Sequence, residues 1–250
     1  MKGPKPKIFV GDKILSKTSG FCEVVEYNGI YDIKVKFEDG TIVKTNSACI
    51  LKGHIKNPNH PRIYGRGFIG EGRYKSGTTG KLTKEYNTWM AMMARCYDIK
   101  AQQPSYINCE VNPMWFNFQV FAEWANSQEG FGLKGWCLDK DLLLKGNKEY
   151  GPDSCCFIPY SLNNIFRIKR SGKADPSLPK GVLLRNGKFY ASSSFDRKSE
   201  YLGKYDTKED AFNAVKLYVE LKVKYLADLH KENLSEITYK SLVDFIYEPH

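Results

Sequence analysis

Between residues 31 and 37 apolar and polar side chains alternate strictly: Tyr31, Ile33, Val35 and Phe37 fall on one side, Asp32, Lys34 and Lys36 on the other. A period of two is the signature of a half-buried strand. Residues 21–27 share this strand composition, Asn28-Gly29 and Asp39-Gly40 are hairpin turns, and Thr41-Ile42-Val43 supplies a returning strand. Residues 8–52 are therefore expected to curl into a small β-barrel. From Thr83 the period becomes helical. Thr83 has the side chain of an N-cap, and Tyr86, Trp89, Met93, Cys96 and Tyr97 recur at steps near three and four. After Asn112-Pro113 the pattern repeats with Trp115, Phe118, Phe121, Trp124 and Ala125, a second helix whose aromatic stripe is core. Residues 137–166 give a strand, a loop at Gly146-Asn147, a second strand and a short helix carrying Asn163 and Asn164. Past residue 178 come Gly181-Val182, a turn at Asn186-Gly187, strands at 188–191 and 201–205, and a Thr207-x-x-Asp210 start to a long helix with Ala211, Ala214, Val215, Tyr218, Val219 and Val223 on one side. The expected fold is α+β: an N-terminal barrel, a central helical and ββα module (82–170), and a C-terminal three-stranded antiparallel sheet packed on a helix (178–250).

Residues 53–81 break these periods. They hold the glycine series Gly65, Gly67, Gly70, Gly72, Gly77 and Gly80, with Arg62, Arg66, Arg73, Lys75 and Lys81 set among Tyr64, Phe68 and Tyr74. This is the composition of a basic arm in which glycines let the backbone approach a partner and rings stack on bases. Such an arm is expected to order only with its partner, and Arg62, Arg66, Arg73 and Lys75 are candidate secondary DNA contacts.

Charge sharpens that reading, because 38 Lys plus Arg against 28 Asp plus Glu leave a net +10, and rings are plentiful at 16 Tyr, 14 Phe and 4 Trp. A polyanionic partner fits this balance. No apolar run approaches the roughly 18 residues that cross a bilayer, so no membrane partner is expected. The seven cysteines include no Cys-x-x-Cys pair, and the N-terminal Met1-Lys2-Gly3-Pro4-Lys5 has no apolar signal segment. These features point to a reducing cytoplasm, the host's if the protein is viral, rather than to a zinc ribbon or redox dithiol.

The order of elements over residues 137–166 resembles the His-Asn-His (ββα-metal) nuclease module, especially its phage and homing-endonuclease branch. That family uses an imidazole base to activate water and one divalent metal beside the scissile phosphate. By position, Asp139 corresponds to the metal-binding residue of the first strand, Lys140 to the general base, and Asn163, with Asn164 as the alternative, to the metal ligand on the helix; Asn147 or Asp153 takes the loop position. None of His54, His60, His230 and His250 lies in this stretch. A lysine with its ordinary pKa of about 10.4 is protonated at neutral pH and takes no proton from water, although it holds a phosphate. The resemblance thus implies a scaffold that has lost hydrolysis, with Asp139 and Asn163 as its residual metal positions.

Lys180-Gly181-Val182, Gly187-Lys188-Phe189-Tyr190-Ala191, Leu202-Gly203-Lys204-Tyr205-Asp206-Thr207 and Glu209-Asp210-Ala211-Phe212-Asn213-Ala214 resemble the DNA-binding domain named after the plant Apetala and ethylene-response factors, which also occurs in phage endonuclease-like proteins. In that family the exposed face of the sheet enters the major groove. Carried over by position, Lys180, Arg185, Lys188, Ser192, Ser194, Tyr201 and Lys204 would face DNA, with Arg197 near the intervening turn. Leu183 and Leu184 stand where plant domains place polar or basic residues, so sequence reading is expected to be relaxed. The N-terminal piece is similar to Tudor or KOW modules, a likeness that transfers no function.

Together these resemblances imply a phage-type protein that binds double-stranded DNA, carries a decayed nuclease-like module, needs no cofactor, and regulates or interferes with host DNA processes. An active metal-dependent endonuclease or nickase, using magnesium, is the alternative. A third reading is a structural or inhibitory protein whose partner is a host protein.

Overall fold

The computed structural model describes residues 7–100, 103–166, 175–195 and 198–248. It is a mixed α+β chain. Strands β1 (Lys13–Ser16), β2 (Gly20–Tyr27), β3 (Ile33–Phe37) and β4 (Ile42–Thr45) form an antiparallel meander in that order. The alternation over 31–37 places Ile33, Val35 and Phe37 inside, whereas Tyr31 lies before the strand and is 80% exposed.

The expected barrel is not closed, because β1 and β4 remain the two edges of the sheet. The short helix α1 (Ser47–Leu51) and the segment after it fill the concave side instead. Ile50 and Ile55 pack against Cys22, Val24 and Val35, while Lys17 N donates to Gly53 O at 2.9 Å and Asn57 N to Ser19 Oγ at 3.1 Å. Closure would require the space these side chains occupy.

Residues 53–81 likewise depart from the expected free arm. They run across the central helices, with a small ladder of β5 (Gly77–Thr78) on β6 (Lys81–Leu82). Phe68 N donates to Phe116 O and Phe118 N to Phe68 O, and Gln119 Nε2 reaches the carbonyls of Ile69 and Tyr74. Gly67 is needed here for a steric reason, since a Cβ would stand 2.8 Å from the Trp89 ring. Gly70 and Gly72 likewise stand against Asn117 and Gln119, so three glycines of the series serve close packing on the protein's own helices and their caps.

The central core gathers around α2 (Lys84–Tyr97), capped by Thr83 as expected, and α3 (Phe118–Ser127). The second helix begins later than its pattern suggests: Trp115 sits in a single 3-10 turn, Pro113–Phe116, and Asn117 caps α3. Trp89 donates from Nε1 to Trp115 O at 2.7 Å, so its buried polar atom is satisfied. A parallel pair, β7 (Glu110–Val111) with β9 (Glu149–Tyr150), closes this core below.

Next, β8 (Trp136–Asp139) pairs antiparallel with β10 (Cys156–Pro159), and α4 (Tyr160–Phe166) follows directly, a ββα order. Finally β11 (Val182–Arg185), β12 (Lys188–Phe195) and β13 (Lys198–Tyr205) form an antiparallel sheet covered by α5 (Lys208–Leu229), on which α6 (Glu236–Val243) packs. Strand β10 is a shared wall. Phe157 belongs to the central core, whereas Cys156 and Ile158, with Leu162 and Ile165 of α4, join Val182, Val215, Val219 and Val223 in the C-terminal one.

Candidate nucleic-acid interface

The C-terminal sheet is two-faced because residues directly opposite on antiparallel strands share a face and successive residues do not. Asn186 and Gly187 both take positive φ (48° and 70°), the backbone of the expected tight hairpin, and set Arg185 opposite Lys188 and Leu183 opposite Tyr190. On the next ladder Tyr190 opposes Lys204, Ser192 opposes Tyr201 and Ser194 opposes Ser199. A register shift after Ala191 keeps both ends of β13 in phase with β12; there Gly203 takes φ 136°, and a Cβ would stand 2.8 Å from the Tyr205 hydroxyl. The inner face holds Val182, Phe189, Ala191 and Phe195 against α5.

The outer face therefore collects Arg185, Lys188, Ser192, Ser194, Tyr201 and Lys204, six of the eight positions expected to meet DNA. It adds Tyr190, Leu183 and Ser199, which the alternation of β12 and the pairing would have identified. The Tyr190 and Tyr201 rings lie 6.4 Å apart, and Lys204 Nζ stands 5.9 Å over Tyr190. Lys188 is ion-paired with the exposed Asp206, whose carboxyl it holds below the usual range. Lys180 lies off this face, beside a cavity it shares with Asp141, Lys145 and Asp244. Arg197 lies outside the described residues.

The arm's cations stand elsewhere. Arg73 makes a two-pronged contact with Glu123, at 2.9 and 2.8 Å, and Arg66 stacks 4.9 Å over Tyr97. Arg62 and Lys75 are exposed.

In the ββα unit Asp139, Lys140 and Asn163 are buried, and Asn164 is exposed. Asp139 Oδ2 accepts from the backbone N–H of Asp141 and Leu142, at 2.9 and 2.8 Å, tying the turn that leaves β8. Lys140 pairs with Asp141, donates to Asn147 O at 2.8 Å and lies 5.9 Å over the Tyr150 ring. Asn147 braces the loop by donating to the carbonyls of Lys140 and Glu149 and accepting from Glu149 N, while Asp153 lies exposed on it. Asn163 Nδ2 donates to Cys137 Sγ at 2.9 Å. His230 stacks edge-on against Trp136, at the end of β8 away from Asp139.

A divalent metal fits this donor set poorly. Mg²⁺ requires near-octahedral oxygen ligands, and Asp139 is committed to its turn while Asn163 turns its amide to a sulfur. Among the described residues no group of three or more His, Cys, Asp or Glu side chains is placed to hold a metal.

Burial pushes the Asp139 carboxyl above its ordinary value, against the two backbone hydrogen bonds that lower it. A raised carboxyl favours the fold below the unfolded pKa, about 3.9 for aspartate, and that contribution is lost as pH rises through the folded value. Asp139→Asn keeps an acceptor for both N–H groups and removes the buried charge. Its melting temperature relative to the native chain should therefore be higher at pH 7 than at pH 4; a difference independent of pH would show that Asp139 is not the group responsible.

No family model, curated protein or solved structure matches the chain. The described helices include none long and apolar enough to cross a membrane.

Proposed function

We propose that this protein binds double-stranded DNA through the outer face of β11–β13, and that the ββα unit serves as scaffold without hydrolysing the strand. The observation that carries the reading is the gathering of Arg185, Lys188 and Lys204 around the Tyr190 and Tyr201 rings on one open sheet face, backed by an apolar face on α5. Cations of this kind engage phosphates and rings lie on sugars or bases. With few base-reading side chains on the face, affinity depends more on salt than on sequence. The biological setting that fits is a phage-type regulator of, or competitor for, host DNA processes.

Titrating the whole chain onto a duplex at several salt concentrations tests this. Log affinity is expected to fall linearly with log salt, by about 0.9 for each phosphate engaged. With magnesium or manganese the protein should leave supercoiled plasmid intact, since Lys140, standing where the family places its base, is engaged with Asp141 and Asn147 O. Absent or salt-independent duplex binding would overturn the reading. Metal-dependent cutting abolished by Asp139→Ala would favour the endonuclease alternative, which rests on the β8–β10–α4 order.

A further inference from the structure

A cleft of about 510 Å³ separates one side of α2 from the loop that leads into β8. It falls in the size range of small-molecule sites, about 300–1,000 Å³. Its charge is one-sided: Lys84 and Arg95 project from α2, Lys134 from the facing loop, and no carboxylate lines it. Two other clefts of similar size differ, one carrying Asp141, Asp244 and Glu248, the other Glu23 and Glu38.

Arg95 is the most telling of the three cations. It is half-buried, and among the described residues it has no carboxylate partner; its contacts are the Tyr150 hydroxyl at 3.5 Å and the Tyr106 ring at 5.8 Å. A guanidinium that lines a cleft without a carboxylate beside it has N–H donors to offer a bound anion. Lys84 donates one N–H to Gly132 O at 2.7 Å, which fixes its ammonium at the cleft with two further donors.

The opposite wall is aromatic. Trp136 lies across Gly130, where a Cβ would come within 2.4 Å of its ring, so this backbone position admits the indole only as glycine. Phe131 packs 5.1 Å from Phe157, giving a second ring at the cleft. Asn87 adds a polar side chain able to both donate and accept. Cations, flat rings and one amide together suit a ligand that is anionic at one end and a planar heterocycle at the other.

We propose that this cleft binds a nucleoside monophosphate unit, its phosphate among Lys84, Arg95 and Lys134 and its base against Trp136 and Phe131. The unit is either a free nucleotide or one nucleotide of a single strand. The inference stands apart from the duplex reading, since none of these residues lies on the outer face of the C-terminal sheet.

The test uses the full chain, titrated with dAMP, deoxyadenosine and a hexadeoxyadenylate at constant ionic strength, followed by calorimetry and tryptophan fluorescence. Saturable dAMP binding is expected, with a fluorescence change that Trp136→Phe removes. Deoxyadenosine, lacking the phosphate, should bind at least about tenfold more weakly, and Lys134→Glu or Arg95→Gln should weaken dAMP by about the same factor. Lys134 is exposed, so its variant keeps the native melting temperature and decides the matter if Arg95→Gln does not fold. A hexanucleotide binding much more tightly than dAMP identifies a strand as the source, and equal affinity identifies a free nucleotide. No saturable binding of either at millimolar concentration, or binding unaltered in Lys134→Glu, overturns the proposal. Duplex affinity is measured in parallel on Arg185→Ala, so a failure of the cleft and a failure of the sheet remain distinct results.

Discussion

Replacing Arg185, Lys188 and Lys204 together by Ala lowers duplex affinity by about a hundredfold near 0.15 M salt and flattens the log–log salt dependence by about 2.7, if each side chain engages one phosphate. The fold survives, because all three project from the outer face while α5 packs on the other. Circular dichroism and an unchanged melting temperature establish this before binding is measured. Lys188 supplies an internal check. Its ammonium already pairs with Asp206, and DNA must compete for it. Asp206→Asn therefore raises duplex affinity, whereas Asp175→Asn, whose carboxylate is held by Ser177 rather than by a cation of the face, does not. A folded triple variant with native affinity and slope would remove this face from consideration.

A fragment beginning at Ser171 loses cooperative folding. Its sheet and long helix form a plausible unit in the sequence, yet Cys156, Ile158, Leu162 and Ile165 complete their core from outside that fragment. At roughly 1.5–3 kcal/mol for each large apolar side chain buried, their loss is of the same order as the whole stability of a domain, about 5–15 kcal/mol. The fragment should show diminished helix signal, no sharp thermal transition and weak duplex binding. A fragment that melts sharply and binds as the full chain does would show that the sheet and α5 stand alone.

The elements legible in the sequence are those fixed by local chemistry. Asn186-Gly187 adopts the positive φ pair its turn needs, Thr83 and Thr207 accept N-cap hydrogen bonds, and the alternation of β12 separates Tyr190, Ser192 and Ser194 from Phe189, Ala191 and Phe195. What escaped depends on partners distant in the chain. The barrel stays open because Ile50 and Ile55 occupy its concavity, and nothing within residues 8–45 announces them. The glycine-rich arm has the composition of a ligand-binding loop, but Gly67, Gly70 and Gly72 answer to Trp89, Asn117 and Gln119, from 22 to 47 residues further on. Composition cannot distinguish close approach to a phosphate from close approach to an indole.

The candidate sites follow the same division. Six outer-face residues were named by position from the resemblance, and strand period alone separates Ser192 and Ser194, with Tyr190, from the inner face. Asp139, Lys140 and Asn163 were legible as a series of positions, but not in what they touch: two backbone amides, a loop carbonyl with Asp141, and a cysteine sulfur. The cationic cleft left no mark in the sequence, since Arg95 and Lys134 are 39 residues apart and belong to different elements.

Strand β10 bears on how such a protein can be inherited. Phe157 faces one core and its neighbours Cys156 and Ile158 the other, so sliding the strand by a single residue against β8 would exchange their surroundings and disturb both halves together. The seam between the ββα unit and the C-terminal sheet runs through the middle of a strand rather than through the proline-containing stretch near Pro176 and Pro179. Neither half can be moved to another chain as a cassette without taking along the wall it shares, and genetic exchange that breaks between residues 160 and 180 would leave each descendant with an unfinished interior.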